Sequence, residues 1–433
     1  MLKRGFSMLA VTVSVLWVSA VGFPNHSEQT ERAFQDWLVR HGTLGMDGLE
    51  LHTWTEGNGT YRTRGWRLLK DRPKRPETFG NLLLIPEKLV FSERTVLNEL
   101  DLQFALDNAP QKNEGLVIAV GLMRALVDRD KSFWAEFVNV HRSDDFMHIP
   151  YNPLLPNDDT DTALAGLSPF YKAKVRAKRR EILDIFRFAQ AHLFPFMSRV
   201  KTMGKLEQRK MFVWAYMMFL SHSRREFHLG EVQDVILCGL NMFNHHSDAR
   251  PHETILDARQ KRFWSVAVNN GAKAGEQIFA NYDHGNGECS EEMYFRYGFV
   301  PTAHADVARD CYQFRLSLSD MPKRTFPLPG IGAECPSSKL RKKEHFGTLV
   351  TLNRNDDAVM KEIGSLSFYN GAAIECSHKA LYDVLLAQSR RVQRLASRND
   401  TRHVVQDIVR GQRRILRRYA GLVKTKLLPH VLW

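Results

Sequence analysis

Hydrophobic positions along this chain change their period from segment to segment, and each change marks an element. From Ala33 to Val39 they recur at helical intervals, which predicts a short helix before a turn in the Gly-rich stretch 42–59. Arg64–Asp71 and Gly80–Pro86 predict two short strands around a polar, Pro-containing loop. From Arg94 to about Phe219 the spacing becomes three and four residues, in Gly115–Val127, Phe133–Val140, Tyr171–Phe188 and Phe212–Leu220, which predicts helices. Strand-like runs return at Val232–Leu240, Phe263–Val268 and Gln277–Tyr282. After a Pro/Gly-rich stretch, Pro322–Pro336, helical periodicity resumes from Asp356 to the end. The pattern is α+β: a β-rich unit split by a helical insertion and followed by a helical lobe.

A chain of 433 residues that is 43% hydrophobic can bury more than one core. Its formal charge of +13 is concentrated in Lys172–Arg180 and Arg390–Arg418, on segments that read as helices, so the bland reading is a solvated helix face. No aromatic residues interleave with those cations, so there is no specific nucleic-acid signal. Cys238, Cys289, Cys311, Cys335 and Cys376 are scattered and contain no CxxC pair, which supports neither a zinc site nor a dense disulfide framework. At the N-terminus, Lys3 and Arg4 precede an apolar run, Met8–Val18, and the small residues Ser19, Ala20 and Gly22. Residues 1–22 thus have the layout of a secretory signal peptide, and the run is short for a membrane span. An uncleaved anchor is the alternative, and Phe23 after Ala20-Val21-Gly22 also resembles the start of a bipartite plastid-targeting signal. Sequons at Asn25, Asn58 and Asn399 are compatible with the secretory route.

The chemistry is concentrated between Ile236 and Phe299. An apolar segment ends in Asn244-His245; next comes Gly275-Glu276-Gln277-Ile278-Phe279-Ala280-Asn281-Tyr282-Asp283, then Tyr297-Gly298-Phe299. Together these resemble the two C-terminal signature blocks of a SET-domain protein-lysine methyltransferase, in the branch that includes the Rubisco large-subunit enzyme. The resemblance implies a SET-domain β-fold with a helical insertion and an all-α C-terminal substrate-binding lobe. Its implied boundaries are a flank and first SET segment at 23–92, the insertion at 93–220, a second SET segment at 221–300 and the lobe at 301–433.

It also implies S-adenosyl-L-methionine as cofactor and a protein or peptide substrate held between SET core and lobe by a monomer. Tyr282 matches the family's catalytic tyrosine and also borders its cofactor, and Tyr297 and Phe299 match the aromatic wall of its lysine tunnel. Asn244 and His245 match the pair that binds the cofactor's adenine edge. Ser223 and Arg224, in a block with one inserted residue, match a pair facing the cofactor's amino-acid end. Gly65 and Trp66 fall on the opening strand beside the cofactor. Asn241 stands where the family usually has Asp, a departure at the cofactor site.

Such a site needs no metal and no charged nucleophile. A free lysine has a pKa of about 10.4, so presenting a neutral amine at pH 7 costs roughly 4 to 5 kcal/mol. A narrow apolar tunnel beside a positive sulfonium lowers that pKa by desolvation and like-charge repulsion. Aromatic walls with one inward hydroxyl then hold the amine in line. His245, His246, Asp248 and His252 crowd one loop and could suit a metal, but adjacent strand residues point to opposite faces, so no metal site is expected. No GxSxG elbow, P-loop or intact GxGxxG occurs. The alternatives are an inert SET-like protein-binding scaffold and a protein-histidine methyltransferase. Asn241 favours the first, and the retained Tyr297 disfavours the second.

Overall fold

A computed structural model describes residues 28–56, 61–71, 81–99, 115–128, 131–141, 153–154, 169–246, 249, 252–256, 259, 261–267, 272–282, 290–298, 312–315, 326–328, 333–335, 349–352, 356–365, 374–396 and 403–428. The N-terminal leader, Phe299, Asp248 and the 284–289 connection lie outside the described residues. A leading helix, Glu28–Arg40, buries Phe34, Trp37 and Leu38 on one face, as helical spacing requires. The stretch expected to be only a turn holds a strand, β1 (Leu49–Glu56), antiparallel to β2 (Tyr61–Leu68). The glycines hid alternation there: Leu49 and Leu51 are buried, and His52-Thr53-Trp54 favours extended backbone.

Two three-stranded sheets complete the β-rich unit. One has β3 (Asn81–Pro86) and β8 (His252–Leu256) on either side of β9 (Arg262–Ala267). The other has β4 (Val90–Ser92) and β5 (Arg224–His228) on either side of β6 (Glu231–Leu237). Strands β5 and β8 are absent from the sequence expectation. In β5 the usual alternation is inverted, with His228 buried and Phe227 exposed.

The helical insertion is present as Leu116–Asp128, Ala135–His141, Pro169–His192 and Lys205–His222, matching the predicted periods. It is fused to the leading helix through aromatic rings. Trp37 lies 5.6 Å from Phe133 and 6.0 Å from Trp134, and its indole N–H donates to the Phe133 carbonyl at 3.1 Å. Phe91 of β4 meets Trp134 edge-on at 4.9 Å, so the same cluster reaches the sheet. Insertion and β-rich unit therefore share one continuous buried core.

Toward the C-terminus the chain is helical from Asp356, through Asp356–Ser365, Ile374–Ala396 and His403–Leu422, the last extended by a π-helical turn to Leu427. The expectation of an all-α lobe omits two short antiparallel pairs ahead of these helices. Tyr312–Arg315 pairs with Leu349–Leu352, and Phe326–Leu328 pairs with Ala333–Cys335. Cys376 is disulfide-bonded, whereas Cys238 is a buried free thiol. No described helix is long and apolar enough to cross a membrane.

Candidate active site

The site is built around a backbone crossing. The segment 274–280 threads between β2 and the two-residue strand β7 (Asn244–His245). On one side Gly275 N–H donates to Leu68 O at 2.8 Å, Leu68 N–H to Glu276 O at 3.0 Å, and Ile278 N–H to Trp66 O at 2.9 Å. On the other, β10 (Phe279–Ala280) runs parallel to β7, placing Phe279 opposite Asn244 and Ala280 opposite His245. The strand expected over Gln277–Tyr282 is therefore shorter. Its ends are spent on the crossing and on the turn into Tyr282.

Tyr282 emerges from this crossing with its position fixed at both ends. Its backbone N–H donates to His245 Nδ1 at 3.1 Å, and its hydroxyl donates to the Phe243 carbonyl at 2.6 Å. Its ring lies 5.2 Å from the His245 imidazole and 4.9 Å from the Tyr297 ring, the last residue of helix Ser290–Tyr297. Burial pushes the Tyr282 hydroxyl pKa well up, and the neighbouring Tyr297 adds to this; the Arg224 guanidinium opposes it without reversing it. At neutral pH Tyr282 is a phenol, not a phenolate.

Arg224 opens β5 beside both tyrosines. Desolvation lowers its pKa, an effect the nearby Arg296 adds to and the Glu226 carboxylate opposes. Ser223, immediately before it, is buried and ends helix Lys205–His222, its N–H donating to Phe219 O at 2.9 Å. Arg296 clasps this junction to the tyrosine-bearing helix. Its Nε donates to Leu220 O at 3.2 Å, its Nη2 to Ser223 O at 3.3 Å, and its guanidinium lies 5.5 Å from the Tyr297 ring. The motif reading missed Arg296. Its signal was a basic residue directly before Tyr297-Gly298, which neither periodicity nor the resemblance singles out.

At the crossing, Asn244 Nδ2 donates to Arg64 O at 3.1 Å. A Cβ built on Gly65 would sit 2.4 Å from Gln277 Nε2 and 2.8 Å from Asn244 Nδ2, so a side chain here would have to displace both amide ends from the crossing. Arg64 pairs with Glu31 of the leading helix at 2.9 Å and donates to the Val140 carbonyl of the insertion.

Two candidates are tied into the protein by their own hydrogen bonds. The Trp66 side chain is fully buried, its indole N–H donating to Gly239 O at 2.7 Å, and its carbonyl is engaged by Ile278. Asn241 uses both ends of its amide: Oδ1 accepts from Gly239 N–H at 3.0 Å and Nδ2 lies 2.7 Å from His141 Nε2. With the amide N–H donating, His141 Nε2 is the acceptor, whereas a carboxylate at this position would require the opposite tautomer, with the proton on Nε2. Of the proposed histidine-rich loop, His245 and His246 are both half-buried, with His245 beside Tyr282 and His246 beside Phe279. No group of metal-ligating side chains converges among the described residues.

His141 stacks edge-on against His222 at 5.0 Å. Burial pushes the His222 pKa down to about 4, partly offset by a hydrogen bond to the Met218 backbone. The unfolded chain, with the ordinary value of 6.5, binds the proton more readily. Stability from this group is therefore complete above about pH 6.5 and declines as pH falls toward 4. Thermal melts across that window should show the decline, and His222→Gln should make it shallower.

The chain has the fold of SET-domain methyltransferases. The SET domain of LSMT bound to lysine and AdoHcy superposes with a TM-score of 0.61 at 14% identity, covering 92% of each chain. Rubisco LSMT bound to sinefungin and monomethyllysine gives 0.61 at 13% identity, over 93% of this chain and 94% of that one. The SET domain of LSMT bound to MeLysine and AdoHcy gives 0.60 at 12%, over 92% of each. No protein-family model matches the chain, and no curated protein matches it.

Proposed function

We propose that this chain is an S-adenosylmethionine-dependent protein N-methyltransferase acting on lysine, of the Rubisco large-subunit methyltransferase-like branch. The observation that carries the reading is the placement of Tyr282. Its hydroxyl proton is committed to the Phe243 carbonyl, so toward a substrate the oxygen presents lone pairs alone. Such an oxygen accepts an N–H and orients an amine lone pair. Its raised pKa makes it an orienting acceptor and not a general base.

The residues present fit the cofactor. Arg224, a desolvated cation, suits the carboxylate of an amino-acid moiety, and Ser223 adjoins it. The close approach at Gly65 brings β2 against Asn244, next to His245, where an adenine edge would sit. When bound, S-adenosylmethionine supplies an electrophilic methyl on a sulfonium. The protein's part is to desolvate the amine, aim it with Tyr282, and wall it with Tyr297. Phe299, the second wall residue in this reading, follows in the same block.

The solved structures whose fold this chain shares were captured with lysine or its monomethyl form and with AdoHcy or sinefungin, which supports a lysine substrate and this donor. A protein or peptide would then bind between the SET core and the helical lobe. The disulfide at Cys376 favours an oxidising compartment, in keeping with a secretory leader.

Radiolabelled donor, incubated with the full chain and lysine-bearing proteins, should label lysine; absence of transfer with donor bound would favour the scaffold reading. Because Arg296 joins the Ser223 carbonyl to Tyr297, Arg296→Leu should raise the half-saturating donor concentration about tenfold. Turnover should fall less, and Arg296→Lys should restore part of the loss.

A further inference from the structure

No candidate residue from the sequence lies in the helical insertion, yet the end of its helix Ala135–His141 reaches the segment that carries Asn244 and His245. Val140 does so through its carbonyl, which accepts from the Arg64 side chain, while the Arg64 carbonyl accepts from Asn244 Nδ2 at 3.1 Å. His141, 4% exposed, does so directly, its Nε2 lying 2.7 Å from Asn241 Nδ2. Consecutive residues of one helix end therefore hold both Asn241 and Asn244.

The orientation of Asn241 is fixed by its other partner. A backbone N–H can only donate, so the Gly239 N–H at 3.0 Å requires Oδ1 on its side and leaves Nδ2 facing His141. His141 Nε2 must then accept. Asn241 sits at the middle of the 3₁₀ turn Leu240–Met242, which starts from Gly239 at φ 93° and leads into Phe243 and Asn244. Phe243 supplies the carbonyl that takes the Tyr282 hydroxyl, so the same turn delivers both the tyrosine's anchor and the Asn244-His245 pair. The imidazole that accepts from Asn241 is itself seated edge-on against Phe137 and His222, each at 5.0 Å, which holds it in place.

We infer that His141 is a positioning residue for the donor site: its Nε2, acting through Asn241, holds the segment 239–245 in the geometry that receives S-adenosylmethionine. This rests on the methyltransferase reading. His141→Phe keeps a ring among its aromatic neighbours and removes the acceptor, whereas in His141→Gln the side-chain Oε1 can stand in for Nε2. Calorimetric titration of S-adenosylhomocysteine into the full chain is expected to show about tenfold weaker binding for His141→Phe and near wild-type binding for His141→Gln. Packing alone would rank the two variants the other way, since Gln loses the ring contacts that Phe keeps. Amide hydrogen exchange across 239–246, measured without donor, should quicken in His141→Phe and not in His141→Gln. The inference alone is overturned if wild type and His141→Phe bind the donor alike, if exchange is unaltered in His141→Phe, or if His141→Gln loses as much affinity as His141→Phe. A wild type that binds no donor overturns the methyltransferase reading and this inference together.

Discussion

Tyr282→Phe is expected to lower methyl transfer by about 10²-fold, with donor affinity little changed. The substitution removes one oxygen. That oxygen is the atom fixed by the Phe243 carbonyl at 2.6 Å, and the ring around it remains seated between His245 and Tyr297. Loss of aim without loss of the wall separates this prediction from a folding defect. The hydrogen bond itself contributes about 1 kcal/mol to stability, which leaves the domain folded. Steady-state kinetics beside a melting curve checks both halves. A variant with wild-type turnover would mean that Tyr282 is ordinary core.

Trp66→Ala is expected to destabilise the protein by about 3–5 kcal/mol, the largest stability effect anticipated for a single site here. Trp66 is fully buried, and its indole ties β2 to Gly239. The same residue's carbonyl holds Ile278 of the threading segment, so the cavity would open beside the crossing. Urea unfolding of Trp66→Ala and Trp66→Phe measures this. Phe fills most of the volume but lacks the N–H, and should cost less than Ala. An effect below about 1 kcal/mol for Ala would show that the crossing does not depend on this pin.

Much of the scaffold was legible because burial imposes simple periods. Phe34, Trp37 and Leu38 announce the leading helix, and the insertion's long helices follow the same rule. Strand β5 was illegible for a definite reason: its buried face carries Arg224, Glu226 and His228, and its apolar Phe227 points outward. Polar residues inside and an apolar residue outside reverse the signal that strand reading depends on. That inversion coincides with the feature of β5 that matters, an arginine facing the tyrosines.

The candidate residues were nameable from motif blocks, but their division of labour was not. Asn241 reads as a lost carboxylate in sequence, whereas in three dimensions its amide bridges Gly239 and His141, a partner 100 positions away. Arg296 likewise acts on Leu220 and Ser223 from a distant helix. Contacts of this kind arise from the crossing of chain segments and leave no local pattern.

Calorimetric titration of S-adenosylhomocysteine into the full chain measures whether the crossing beside Arg224 and Tyr282 holds this cofactor. Saturable binding of one equivalent is expected, weakened by Arg224→Gln and largely retained in Tyr282→Phe. A well-folded protein that takes up no S-adenosylhomocysteine would contradict the methyltransferase reading.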